Sequence, residues 1–251
     1  MNTRPNATVA ILDLGSTVYS SSNLVEASFR KFDGLTVLEW CVRRLVESAM
    51  LDDIVITGHE SLSSKVLEAS LCSAKWFPST LTSTVDRANE VARRFKGEWL
   101  VFVAPTCPFA DPVLLDRLIA SAWASPQADY VGYVASRRPQ FSLAKLGLVG
   151  EMCNRKALEK LSHLPESQKN DDTVPNLLRS APESFNARLI PLPEMLESDD
   201  LKFNLQTAED CVNAIAVLEA AGEDLSYQRL VRMSEVNRGE RTTRSQRQVM
   251  V

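Results

Sequence analysis

The sequence predicts an α/β protein, a mostly parallel sheet flanked by helices. Three observations carry this reading. Short β-branched apolar runs alternate with helical periodicity from Ala7 to Ala135. The runs Ala7–Leu14 (ATVAILDL) and Trp99–Ala104 (WLVFVA) have no polar alternation, as strands covered on both faces require. The chain has 251 residues, 45% hydrophobic and 24% charged, enough for a sizeable core and ordinary for a globular protein.

Ala7–Leu14 reads as a buried strand running into a long polar loop, Gly15–Gly34, with serines at Ser16 and Ser20–Ser22. Val37, Leu38, Val42, Leu45 and Val46 recur at helical spacing and predict a helix over about Thr36–Met50. Asp53–Thr57 reads as a strand, Leu62–Leu71 as a helix, Lys75–Phe77 as a short strand and Thr84–Phe95 as a helix. After Trp99–Ala104 comes a helix over Pro112–Ala124 with Asp111 as its N-cap, then a strand over Asp129–Ala135.

The rhythm then changes. Phe141–Cys153 reads as short strands around Gly147 and Gly150, and Asn154 caps a helix to Leu161. His163–Asp172 is a polar loop, Thr173–Arg179 a short helix and Phe185–Leu192 a strand. Lys202–Leu205 reads as a short strand, followed by a helix over Ala208–Ala221 that Thr207 caps, with Asp210 at the capping-box position. A last helix, Leu225–Met233, leads into a polar, Arg-bearing stretch, 234–251, that reads as a disordered tail. Residues 1–233 thus form one domain.

Composition narrows the function. With 28 basic and 32 acidic residues the net charge is −4, which gives no electrostatic case for nucleic acid. Apolar runs such as Trp99–Pro105 are far too short to cross a bilayer, and MNTRPNATVA lacks the apolar stretch of a signal peptide. Five scattered cysteines show no CxxC and no zinc spacing with the two histidines, His59 and His163. A cytoplasmic protein with reduced thiols is expected. In a parallel α/β sheet ligands sit beyond the carboxyl ends of the strands, so Gly15–Gly34, Gly58–Ser61, Pro78–Ser83 and Pro105–Asp111 are the loops of interest.

Six stretches in order carry a resemblance. They are AILDLGST (Ala10–Thr17), GLTVLEWCVRRL (Gly34–Leu45), MLDDIVITG (Met50–Gly58), Val85-Asp86-Arg87, CPFADPVLLDRLI (Cys107–Ile119) and FNLQTAEDCVNA (Phe203–Ala214). Together they resemble the sugar-activating nucleotidyltransferases of the cytidylyltransferase group: CMP-Kdo synthetases, acylneuraminate cytidylyltransferases and the spore coat polysaccharide biosynthesis protein F family. The resemblance implies a Rossmann-like, GT-A-like nucleotide-diphospho-sugar transferase fold, and CTP and a sugar as ligands. It also implies a homodimer through the segment 141–188, where Leu146, Leu148, Met152, Leu177 and Leu178 supply apolar surface. In that chemistry a sugar hydroxyl or phosphate attacks the α-phosphate of a nucleoside triphosphate and pyrophosphate leaves. Catalysis is positioning plus cationic stabilisation by Mg²⁺ and basic side chains.

The sequence departs from the family at its charged positions. Where the first loop of the family reads R-x-P-G-K, this chain has Val18 and, near the Lys position, Ser22. The metal-binding Asp of G-D-x-P falls on Thr106, that of V-D-T-P falls on Gln206, and the His of E-H-V-T-P falls on Thr173. Asp13 stands where the family has an Arg. Thr and Gln are poor Mg²⁺ ligands beside a carboxylate, so no metal ligand is assigned, and Mg²⁺ fits only a rebuilt site. The nucleotide-binding candidates are Gly15, Ser16, Thr17, Ser22, Asp86, Arg87 and Thr106. Gly15-Ser16-Thr17 is either a phosphate-binding turn or an ordinary strand-to-loop turn. Asp86 and Arg87 either approach a nucleotide or open a solvent-facing helix. Arg30 and Lys31 are either replacement cations or surface charges, and Cys107 reads as a buried structural thiol. Two functions stay open: an altered nucleotidyltransferase, which family resemblance favours, and a non-catalytic nucleotide- or sugar-binding regulatory relative, which the residue chemistry favours.

Overall fold

The computed structural model describes residues 7–15, 22–69, 71, 73–137, 143–165 and 173–249, with the side chains of residue 22 and of 239–249 outside the description. Chain order begins β1 (Thr8–Asp13), α1 (Ser22–Phe29), β2 (Lys31–Phe32), β3 (Leu35–Thr36), α2 (Val37–Val46) and β4 (Asp53–His59). It continues with α3 (Ser63–Glu68), β5 (Lys75–Ser79), α4 (Thr84–Arg94), β6 (Trp99–Phe102), α5 (Pro112–Trp123) and β7 (Tyr130–Val134). Then come α6 (Leu143–Leu146), β8 (Glu151–Asn154), α7 (Arg155–Ser162), α8 (Val174–Ser180), β9 (Ala187–Pro191), α9 (Ala208–Ala221) and α10 (Tyr227–Val249).

Seven strands form one sheet in the order β5-β4-β1-β6-β8-β7-β9. All pairings are parallel except those of β8, which runs antiparallel to both β6 and β7. Period-two alternation sends each strand's residues to opposite faces. Ala10, Leu12, Val101, Val131 and Met152 pack with α2, α5, α9 and α10 on one face. Val9, Ile11, Leu100, Cys153 and Tyr130 pack with α4, α7 and α8 on the other. Both faces are dry, which is why β1 and β6 read as unbroken apolar runs.

Local chemistry fixes the helix starts. Thr36 and Glu39 form a reciprocal capping box on α2, and Thr207 and Asp210 form another on α9. Asp111 accepts from the Leu114 amide at 3.0 Å to cap α5, and its second oxygen accepts from the Tyr227 amide at 2.9 Å, tying α10 to α5. Asn154 caps α7 through the Ala157 amide at 2.7 Å.

Five expectations are corrected. The loop Gly15–Gly34 contains α1, where the buried Ala27 faces the core and the Ser28 hydroxyl donates back to the Leu24 carbonyl, so serine sits in a helix without an unpaired group. Phe141–Cys153 holds one four-residue helix, α6, and a single strand, β8. The helix expected over Leu62–Leu71 is only a 3₁₀ turn, Glu60–Leu62, and α3. Lys202–Leu205 is not a strand: the Phe203 amide donates to the Leu146 carbonyl at the end of α6 and the Leu205 amide to the Thr106 carbonyl, so no strand ladder forms. The helix expected to stop at Met233 runs on to Val249, since residues 234–249 contain no proline and are rich in Arg, Gln and Glu, good helix formers.

The apolar residues expected at a dimer contact are mostly internal. Leu146, Leu148, Met152 and Leu178 are at most 2% exposed in the chain's own core.

Candidate functional site

A cleft of about 360 Å³ opens on the α4/α7/α8 side of the sheet, at the carboxyl ends of β1 and β6 and the start of β8. This is where a parallel α/β sheet places its ligand. Ile11, Phe102, Val149, Val174 and Pro175 give it apolar walls. Its charged lining among the described residues is Asp13, Glu151 and Arg179.

Asp13 ends β1 and is held by a buried partner. Arg87 of α4 donates from Nε to Oδ1 at 3.2 Å and from Nη2 to Oδ2 at 2.8 Å. The same guanidinium donates through Nη1 to the Leu81 and Thr82 carbonyls and through Nη2 to the Thr84 hydroxyl. All five of its N–H groups are therefore used, with the side chain 1% exposed. Arg87 was a nucleotide candidate; buried behind Asp13, it has no donor left for a phosphate. Arg87 also neutralises the charge of Asp13 where it meets the cleft.

The other candidates separate. Gly15 lines the cleft, with φ of +77° and its amide donating to Asp13 Oδ1 at 2.8 Å. Ser16 and Thr17 lie outside the described residues, as does the side chain of Ser22 in α1. Asp86 sits in the first turn of α4, away from the cleft lining. Thr106 lines the cleft but is 1% exposed, and its hydroxyl donates to Asn204 Oδ1 at 2.7 Å. Asn204 in turn donates to the Ala144 carbonyl at 2.8 Å. Gly147 makes this packing possible: its φ is +69°, and a Cβ there would stand 2.4 Å from the Asn204 nitrogen. Gln206 lines the cleft, its carbonyl accepting from Arg30 Nη1 at 3.3 Å. Arg30 also pairs with Glu26 at 3.1 Å, and Lys31 is exposed on β2.

The β8 and α8 side of the cleft holds a cluster that the sequence analysis did not find. Glu151 starts β8 and accepts from the Tyr130 hydroxyl and, at 2.6 Å, from Arg179 Nη1. Arg179 Nη2 also donates to Asn176 Oδ1. Burial pushes the Glu151 carboxyl above its ordinary range, although Arg179 beside it acts in the opposite sense. Burial pushes the Tyr130 hydroxyl up as well. The available signal was a lone glutamate inside the apolar run Leu148–Cys153. Cys107 is buried and its thiol is pushed up to about 12 by desolvation, so it carries no thiolate at neutral pH. His59 bonds to Ser61, and His163 ends α7; neither lines the cleft.

The family chemistry calls for a divalent cation on two carboxylates, and these residues do not fit one. Thr106 and Gln206 are neutral, and the Thr106 hydroxyl proton is committed to Asn204. Asp13 and Glu151 each bind a guanidinium and stand on strands separated by β6. Among the described residues no three His, Cys, Asp or Glu side chains converge, and no helix is long and apolar enough to cross a membrane.

Comparison with known proteins follows the same outline. The cytidylyltransferase family profile matches residues 19–186. No curated protein sequence matches the chain significantly. Among solved structures, a cytidylyltransferase from Leptospira borgpetersenii superposes with a TM-score of 0.75 at 19% identity, covering 93% of this chain and 94% of that one. A CMP:2-keto-3-deoxy-manno-octonic acid synthetase complexed with CTP gives 0.57 at 15% identity, covering 74% and 90%. A 4-diphosphocytidyl-2C-methyl-D-erythritol synthase from Anaerococcus prevotii gives 0.55 at 11%, covering 85% and 96%. At these identities the likenesses speak to the fold.

Proposed function

This chain belongs to the cytidylyltransferase family, and from that premise we propose that it is a relative tied to nucleotide-sugar biosynthesis whose cleft binds ligand but performs little or no Mg²⁺-dependent cytidylyl transfer. One observation carries the reading. At the position where the family resemblance puts a metal-binding Asp, Thr106 is buried and hydrogen-bonded to Asn204. The transfer needs charge stabilisation at the α-phosphate. Val18 and Ser22 supply none where the family has Arg and Lys, and Arg87 is consumed by Asp13. What remains is a shaped, partly apolar cleft with polar groups at its floor, which suits binding.

A second reading, an enzyme with a rebuilt site, draws on Glu151. Glu151 is a carboxyl at the cleft wall whose proton affinity burial raises, the direction a general base needs. For the homodimer, exposed apolar side chains include Val134 of β7 and Leu189 of the edge strand β9, 36% and 47% exposed. A one-chain mass by light scattering removes the dimer from the reading.

The test is pyrophosphate release from CTP with sugar-acid and sugar-phosphate acceptors, beside a thermal-shift panel of CTP, CDP and CMP with and without Mg²⁺. A ligand at 100 times its Kd adds about 2.7 kcal/mol, a readily visible shift. The proposal expects shifts indifferent to Mg²⁺ and no release. Robust EDTA-sensitive release overturns it, and EDTA-resistant release selects the second reading.

A further inference from the structure

We propose that a second site, at the opposite end of the sheet from the cleft, binds a free α-amino acid with an uncharged side chain. The proposal is independent of how the cleft is read.

The site is a cavity of about 350 Å³, at the low end of the range for small-molecule pockets and so suited to a compact ligand. Strands β6 and β8 connect it to the cleft. Phe102 pairs with Glu151 at one end of their ladder, in the cleft wall, and Trp99 pairs with Asn154 at the other, in the cavity wall. Three residues separate the two ends, about 10 Å along the strands. The apolar lining is Trp99 at the start of β6, Ala122 and Trp123 at the end of α5, and Pro126 beyond it. Trp99 and Ala122 belong to the core, so this surface is fixed by the fold.

Three polar groups of the wall define the ligand. The Trp123 Nε1–H is buried with no hydrogen-bond partner, a costly state for a donor and one that an acceptor from a ligand relieves. Glu98 and Arg155 are neighbours across the ladder, the Arg155 amide donating to the Glu98 carbonyl at 3.0 Å. Their side chains nevertheless do not pair with each other. Arg155 turns Nε to Glu159 at 3.2 Å, which leaves Nη1 and Nη2 without a partner among the described residues. Asp129, the other carboxylate of the wall, is taken by Lys160 at 3.3 Å and by the Asn186 amide at 3.1 Å. Glu98 and Arg155 thus offer opposite charges side by side, with Lys156 next to Arg155. A plain anion would meet Glu98, and a plain cation would meet Arg155 and Lys156. An α-amino acid carries both charges on one carbon: its carboxylate suits Arg155 and the Trp123 N–H, and its ammonium suits Glu98. An uncharged side chain then packs on Trp99, Ala122 and Trp123.

The experiment is calorimetric titration of the full chain with L-alanine and L-leucine at millimolar concentrations, beside L-leucinamide, N-acetyl-L-leucine and D-glucose. L-leucinamide keeps the ammonium and lacks the carboxylate, N-acetyl-L-leucine is the reverse, and D-glucose stands for an uncharged polyol. The expected result is binding of L-alanine or L-leucine, with each of the three other probes weaker by about 10-fold or more, the value of a charged hydrogen bond. Glu98→Gln, an exposed change, should weaken the amino acid by about 10-fold and narrow its margin over N-acetyl-L-leucine. Trp123→Phe keeps an aromatic ring and removes the N–H, and should weaken it by about 3- to 10-fold. These two variants assign the binding to this wall and not to the cleft. If Trp123→Phe fails to fold, the Nε1–H resonance of Trp123 in the wild-type chain serves instead and must shift on addition of the amino acid. The proposal is overturned if neither amino acid binds, if L-leucinamide, N-acetyl-L-leucine or D-glucose binds as tightly, or if Glu98→Gln binds as well as wild type.

Discussion

Replacing Asp13 by Asn tests whether the cleft floor is a closed ion pair. The two side chains are nearly isosteric, so no cavity opens, and the change removes one negative charge. Arg87 is 1% exposed and Asp13 16%, so the pair is largely out of water. Arg87 would keep its bonds to Leu81, Thr82 and Thr84 but lose the carboxylate that meets Nε and Nη2. Stranding one member of a buried pair costs about 3–5 kcal/mol. For a chain of this size that lowers Tm by about 2–4 °C per kcal/mol, or about 6–20 °C in all. Urea denaturation followed by circular dichroism reads the loss as a fall in midpoint at constant m. The double variant Asp13→Leu/Arg87→Met removes both charges and should cost clearly less than the sum of its parts, by about 2 kcal/mol or more. Its residual cost is the Leu81 and Thr82 carbonyls left without a donor. A cost for Asp13→Asn below about 1 kcal/mol, or strict additivity in the cycle, refutes the closed pair.

Three further outcomes are expected. Burial raises the Glu151 pKa above its model-compound value of 4.5, so in the window from there up to the folded value the native state holds more protons than the unfolded chain. Stability from this group therefore falls as pH rises through that window; Glu151→Gln should flatten the slope of urea melts as pH rises from 4.5, and a parallel pH profile for both proteins counts against it. Gly147→Ala forces a Cβ to within 2.4 Å of the Asn204 nitrogen at a φ of +69°, a strain of about 1–3 kcal/mol that should lower the urea midpoint; an unchanged midpoint refutes the close approach. Thr106→Asp with Gln206→Asp restores two carboxylates, and the folded double variant should gain a Mg²⁺-dependent thermal shift that wild type lacks; a Mg²⁺ response equal to that of wild type removes these positions from the metal argument.

The legible part of the fold was the part written locally. Asp111, Asn154 and Thr207 each cap a helix through an amide three residues on, and each was identifiable from spacing alone. The strands β1 and β6 stood out because burial on both faces leaves no polar alternation. Helix α1 did not, because its polar, Ser-rich approach hides a helix whose buried residues are few, Ala27 and Ser28 among them. Segment 202–205 misled for the opposite reason: Phe203 and Leu205 are buried like strand residues, but their amides bond to the end of α6 and to Thr106, not to a neighbouring strand. At the site, Thr106 and Gln206 were found in place on the cleft wall. The pairing of Asp13 with Arg87 spans 74 residues, and the Tyr130–Glu151–Arg179 cluster joins three elements. No spacing rule reaches either, since both depend on which strands the sheet makes neighbours.

Those two long-range pairings also bear on the charge of the cleft. A cleft poised for a triphosphate holds cations near one another before any ligand arrives, and that mutual repulsion is a standing cost to the folded state. Here Asp13 and Arg87 neutralise one another on the floor, and Glu151 with Arg179 does so on the wall. The cleft is therefore electrostatically settled by its own residues. Ligand binding then adds only what the remaining donors of Arg179 and the apolar walls supply, and the stabilisation by a cleft ligand should be small beside the cost of breaking the Asp13–Arg87 pair. A ligand that stabilised the chain more than that pair does would have to meet cations outside the described wall, so comparing the two energies in one denaturation series decides whether the cleft's charge is complete.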